Sequence, residues 1–141
     1  MGNRIQHPVK NRYSPYRDDI ILDCFHRGIL TGTSLMVFST FENRHFQVNG
    51  KSAASAVKKG QEVGICIGLH FNISEGIPIS EPSKIPSLLH EVDGVVQFLG
   101  KEGFIHAVTE GYIVPGEVEI ELRNQVCMYF FVLFRLKSLS N

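Results

Sequence analysis

The stretch GICIGLHFNISEG, residues 64–76, decides the fold class of this chain. It begins inside an almost unbroken apolar run, Val63–Leu69, which ends at His70 and is followed by Asn72 and Gly76. A short apolar run bounded by turn residues predicts a β-strand buried on both faces. Upstream, NGKSAASAVKKG predicts a helix over Ser52–Lys59, with Lys58 and Lys59 at its negative end and Gly60 as its stop. Thr33–Val37 reads as a short strand behind Gly32. Earlier still, Ser14 and Pro15 supply the cap and first residue of a helix over 15–27. Asp18 and Asp19 fall in its first turn, Ile20, Ile21, Cys24 and Phe25 repeat at helical spacing, and Gly28 stops it. Helix, strand, helix, strand in succession predicts a parallel α/β architecture.

Beyond His70 the pattern loosens. Residues 70–94 read as one long loop, punctuated by Gly76, Pro78, Pro82, Pro86 and Gly94. A helix is predicted over 102–110, and Pro115 opens another, whose early turns carry Glu117, Glu119 and Glu121. Val118, Leu122 and Val126 line one side of it. The run Cys127–Phe134 has no polar break; it fits a buried strand and has the make-up of an aggregation-prone segment.

The chain has 141 residues, room for one domain with a modest core. Lysine and arginine number 14, balanced by 14 carboxylates, so no bulk field draws the chain to nucleic acid. No segment is long enough to span a bilayer, and the N-terminal residues lack the apolar core of a signal peptide. Cys24, Cys66 and Cys127 show no metal-binding or redox spacing. Cys24 and Cys66 sit on apolar segments and read as buried free thiols, which points to a reducing, intracellular and cytoplasmic setting.

Functional groups in parallel α/β folds gather at the carboxyl ends of strands. His70 stands at such an end, and imidazole serves as metal ligand, acid or base. Asn72 is placed either to bond a substrate or to fix the loop, and Glu75 adds a carboxylate nearby in sequence. The bland reading competes at each position. A single loop histidine is commonly structural, and His26 suits the negative end of its helix. Asp18 and Asp19 are explained by the helix dipole, and Lys101 by solvation. No HxH, HExxH, GxSxG or P-loop pattern is present.

Several stretches in order resemble the YdjC-like carbohydrate deacetylases, the family that includes chitooligosaccharide deacetylase. They are RYSPYRDDIILDCFHRGILTGTSLMV, NGKSAASAV, GLHFNISEGIPIS, IPSLL, FLGKEGF and EVEIELRNQV. The resemblance implies a deformed (βα) barrel and a metal-dependent hydrolase, with magnesium as the usual ion. Such enzymes remove acetyl groups from N-acetylated sugars. One aspartate and two histidines hold the ion, which polarises the acetamide carbonyl, while a carboxylate takes a proton from the attacking water. By motif, His70 corresponds to the first histidine ligand.

The chain departs from the family pattern in three places. The family carries an Ala-Asp-Asp-Phe-Gly type motif just before the Tyr-Ser-Pro segment, whereas Pro8–Arg12 holds no carboxylate here. Residues 38–48 intervene between SLMV and NGKSA. Residues 127–141 stand where the family places a His-rich motif with the second histidine ligand. The expected organisation is therefore a divergent segment 1–12, a partial deacetylase domain 13–126 with an insertion at 38–48, and a divergent apolar tail 127–141. The expected fold is the N-terminal part of a deformed barrel, its first strand and later strands replaced or missing. The expected function is a carbohydrate deacetylase at family level, inactive in this form and unable to hold magnesium tightly. The alternative is a non-catalytic fragment or splice isoform acting through protein or sugar binding. Expected partners are acetylated carbohydrate and further copies of the chain, with neither nucleic acid nor membrane.

Overall fold

The computed structural model describes residues 15–38, 47–48 and 50–138. The expectations for 1–12 and most of 38–48 lie outside the described residues. Helix α1 (Pro15–His26) leads to strand β1 (Gly32–Phe38), and a two-residue strand β2 (Gln47–Val48) folds back on the end of β1. Helix α2 (Gly50–Val63) and strand β3 (Cys66–His70) follow. The rest comprises strands β4 (Leu89–Val92) and β5 (Val95–Phe98) and helices α3 (Gly100–Thr109) and α4 (Pro115–Ser138).

The sheet order is β2-β1-β3. β1 and β3 run parallel, with Leu35 opposite Leu69 and Met36 opposite His70, and α2 is their crossover. This is the βαβ unit that the alternation of elements predicts. β2 is antiparallel to β1, pairing Val48 with Val37.

Alternate strand residues point to opposite faces. Leu35, Ile67 and Leu69 pack with Val57 of α2 and with Met128, Tyr129, Val132 and Leu133 of α4 to make the main core. The opposite face of the same two strands carries Ser34, Met36, Cys66, Gly68 and His70, of which Ser34, Cys66 and His70 are exposed. So β3 is buried on one face, not on both as predicted. Cys66 and Gly68 are small and count as apolar, which hides the alternation in the sequence. Cys66 is accordingly an exposed thiol and Cys24 a half-buried one, in place of the buried pair expected.

Gly60 does not stop α2, which runs on to Val63, so Lys58 and Lys59 lie a full turn before its end. Gly60 is where the helix meets the start of the next strand: a Cβ there would stand 2.6 Å from Cγ2 of Ile65. The helix ends instead at Gly64, whose φ of 79° is open to glycine at no steric cost.

The predicted loop 70–94 contains more structure than expected. Short 3-10 turns at Pro82–Lys84 and Pro86–Leu88 lead into β4, which pairs with β5 as a hairpin. Asp93 and Gly94 make its two-residue turn with φ of 52° and 79°, the positive-φ geometry such hairpins demand. Ile85, Leu88 and Phe98 form a second small core, joined by Ile73, Leu89, Phe104, Ile113 and Val118. Residues 127–138 are not a strand: they continue α4 as one helix, because their buried members, Tyr129 and Val132, keep the face that α4 already turns to the sheet.

Candidate functional site

The parallel strands β1 and β3 end together, and His70 closes β3 on the open face of the sheet. Its Nδ1 lies 3.3 Å from Oγ of Ser34 on the neighbouring strand. Which atom donates follows the imidazole tautomer, and either arrangement ties one ring nitrogen to β1 and leaves Nε2 unengaged by that bond. An exposed imidazole held this way can accept or donate a proton, or offer a lone pair to a ligand.

Just past His70 the chain turns sharply, and Asn72 organises the turn. Its Oδ1 accepts from the backbone N–H groups of Ser74 and Glu75, at 3.3 and 3.2 Å, and its Nδ2 donates to the Glu75 carbonyl. This is an Asx turn, the local bonding for which asparagine is favoured. The side chain is thus engaged with its own loop.

A line of residues on α4 holds the whole segment in place. Glu117, Glu121, Gln125 and Tyr129 recur every four residues and so share one stripe of the helix. Glu117 Oε2 accepts from Ser87 N at 2.7 Å. The fully buried carboxylate of Glu121 accepts from Ile79 N at 3.0 Å and from Ser80 N at 2.9 Å, and from Gln125 Nε2 at 2.7 Å. Gln125 pairs with both backbone polar groups of Asn72. The Tyr129 hydroxyl donates to the Ile67 carbonyl inside β3. Burial, aided by the nearby Cys66, pushes the Tyr129 phenol above its ordinary pKa of 10.0, which keeps the hydroxyl protonated as a donor. Sequence reasoning assigned Glu117 and Glu121 to the helix dipole and missed these contacts. The signal was present as polar residues at four-residue spacing on a helix face that also carries apolar residues.

Metal holding can be tested against these residues. Among the described residues no group of three or more His, Cys, Asp and Glu side chains is placed to hold an ion. Magnesium requires several oxygen donors in near-octahedral geometry, and one imidazole does not meet that requirement. The described residues therefore do not fit a magnesium site.

The fold and strand-end position define an α/β protein built on a βαβ unit, with its candidate polar group on the open sheet face. The chain belongs to the YdjC-like protein family, whose profile matches residues 13–129. It is 37% identical over 117 residues to a carbohydrate deacetylase of Xenopus laevis, covering 83% of this chain and 34% of that protein. A carbohydrate deacetylase of Danio rerio is 37% identical over 118 residues, covering 84% and 33%. One of Homo sapiens is 34% identical over 123 residues, covering 87% and 34%. The chain thus spans about a third of the length of these relatives. No solved structure matches it.

Proposed function

We propose that this chain carries the acetylated-sugar side of a carbohydrate-deacetylase site and that, by itself, it binds such sugars without hydrolysing them. The observation that carries this reading is His70 at the carboxyl end of β3, tied to Ser34 on the open face of the sheet. In a deformed barrel, of which β1, α2 and β3 would be one part, that face would line the interior and His70 would stand at its C-terminal rim, where substrates are met. His70 would meet the ligand, and Asn72 would shape the loop beside it and offer a sugar contact from there. The resemblance to relatives named carbohydrate deacetylase supports the ligand class.

Hydrolysis is a separate matter. Hydrolysis by a metal-activated water needs an ion with several oxygen donors, which His70 does not supply among the described residues. The test is direct: purified chain is incubated with an N-acetylated chitooligosaccharide and magnesium, and acetate is assayed. The expected result is no release above the buffer blank; release with turnover would overturn the non-catalytic reading. Among the described residues no helix is long and apolar enough to cross a membrane. The free thiols suit a reducing compartment, and we place the chain inside the cell.

A further inference from the structure

Gly68 lies at the middle of β3, directly opposite Ser34 of β1 and on the open face that carries His70. A glycine inside a strand gives up side-chain packing and costs backbone entropy, and it commonly marks a bulge or a close approach of backbone or ligand. Two other glycines of the βαβ unit meet such a need within the chain. A Cβ on Gly60 would strike Ile65 Cγ2 at 2.6 Å, and one on Gly32 would stand 3.0 Å from the Cys66 carbonyl oxygen. Gly68 meets no such need. Its φ is not positive, and it pairs in regular register. A Cβ there would meet, among the described residues, only the Thr33 carbonyl oxygen, at an ordinary 3.8 Å. The chain's own packing leaves room for a methyl group at this position and does not fill it.

The side chains around this gap are of two kinds. Along β3 it is flanked by Cys66 and His70, whose Cα atoms lie about 13 Å apart with only glycine between them on that face. Across the strand stands Ser34, its Oγ 3.3 Å from His70 Nδ1, and Met36 lies diagonally, opposite His70. Thiol and thioether are soft, weakly polar groups. Serine and imidazole are hydrogen-bonding groups. An acetamido group has the same two parts, a methyl and a planar amide.

We propose that Gly68 determines the specificity of the candidate sugar site: its bare backbone seats the acetamido methyl of an N-acetylated hexosamine while the Ser34–His70 pair meets the amide. This rests on the sugar-binding reading and adds which end of the ligand enters. The methyl packs on Gly68 Cα, with Cys66 and Met36 beside it. His70 Nε2, not engaged by the bond to Ser34, donates to the amide carbonyl or accepts from its N–H, as the tautomer dictates. Gly68 and His70 are about 7 Å apart along the strand, a span that an acetamide bridges with a contact at each end. A free amine at the same carbon is charged and lacks the methyl, so the site distinguishes acetylated from deacetylated sugar. A Cβ at position 68 would take the place of that methyl.

NMR of the ¹³C,¹⁵N-labelled chain with di-N-acetylchitobiose tests this. The expected result is intermolecular NOEs from the acetamido methyl protons to the Gly68 Hα protons. Gly68→Ala should keep the wild-type melting temperature, since its Cβ meets no clash, yet lose about tenfold or more in affinity. Chitobiose without acetyl groups should bind wild type more weakly by a similar factor. Wild-type affinity in Gly68→Ala, methyl NOEs to other residues, or equal binding of the two sugars would overturn the proposal. If shifts at Ser34 and His70 persisted in that case, the sugar-binding reading would stand without it. A wild-type chain that shows no shifts with either sugar would sink both. Should the variant melt early, the wild-type NOE pattern and the comparison of the two sugars decide without it.

Discussion

The side-chain amide of Gln125 closes on the backbone of Asn72, 53 residues earlier, accepting from its N–H at Oε1 and donating to its carbonyl from Nε2. One side chain thereby satisfies both polar groups of the residue that turns the chain after His70. Gln125 is itself 1% exposed, so no solvent stands ready to replace it. Its neighbours on the stripe act alike: Glu121 serves Ile79 and Ser80, and Tyr129 serves Ile67. The placement of the loop at the candidate site is thus held by α4 together with the loop's own turn and small core.

Replacing Gln125 by alanine strips Asn72 of both partners and opens a void. The expected loss is about 2–4 kcal/mol of folding free energy. Urea denaturation of wild type and variant measures it. Glu121→Gln should cost about 1–3 kcal/mol, because an NH₂ group would then face a backbone N–H.

Gly60→Ala distinguishes close packing from helix stopping. In a solvent-facing helix this change stabilises by up to about 1 kcal/mol. Here the new methyl group meets Ile65 Cγ2, so the expected outcome is a net loss of about 1–2 kcal/mol. Thermal unfolding followed by circular dichroism reads the sign.

Asn72 makes three contacts within its own turn. Asn72→Asp keeps the two acceptor contacts but turns a carboxylate oxygen toward the Glu75 carbonyl, so it, like Asn72→Ala, should cost about 1–2 kcal/mol. Denaturant unfolding measures the two variants. If both left stability untouched, the turn would owe nothing to this side chain.

The raised pKa of Tyr129 fixes a direction of pH dependence. Below pH 10.0 the phenol is protonated in folded and unfolded chains alike, and its contribution is constant. Above that value the unfolded chain loses the proton first, so it binds fewer protons than the folded one. Stability then falls with rising pH until the folded phenol also ionises and the bond to Ile67 loses its donor. Tyr129→Phe removes this behaviour, so the stability difference between wild type and variant should shrink as pH climbs past 10.0. Urea titrations at a series of alkaline pH values check it.

Much of the βαβ unit was legible in the sequence because helix and strand periods alternate over residues 15–37 and again over 52–70. The strand end at His70 was legible for the same reason. The single open face was not, because Cys66 and Gly68 read as apolar although they line the exposed side. The β4–β5 hairpin was passed over as loop, since His90, Glu91 and Asp93 break the apolar pattern. The Asp93-Gly94 pair was its one local sign. Residues 127–134 offered an apolar run without a period. Their helical state comes from continuity with the α4 stripe that ends at Tyr129 and Val132.

The central claim is that the carboxyl end of β3 receives an acetylated sugar that the chain does not cleave. The most direct measurement is an NMR titration of the ¹⁵N-labelled chain with di-N-acetylchitobiose in the presence of magnesium, with the acetate methyl signal followed in the same sample. The account predicts saturable shifts centred on the amides of Ser34, His70 and Asn72, with no growing acetate signal. Amides at the strand ends that stay unmoved at high sugar concentration, or acetate that accumulates with time, would contradict it.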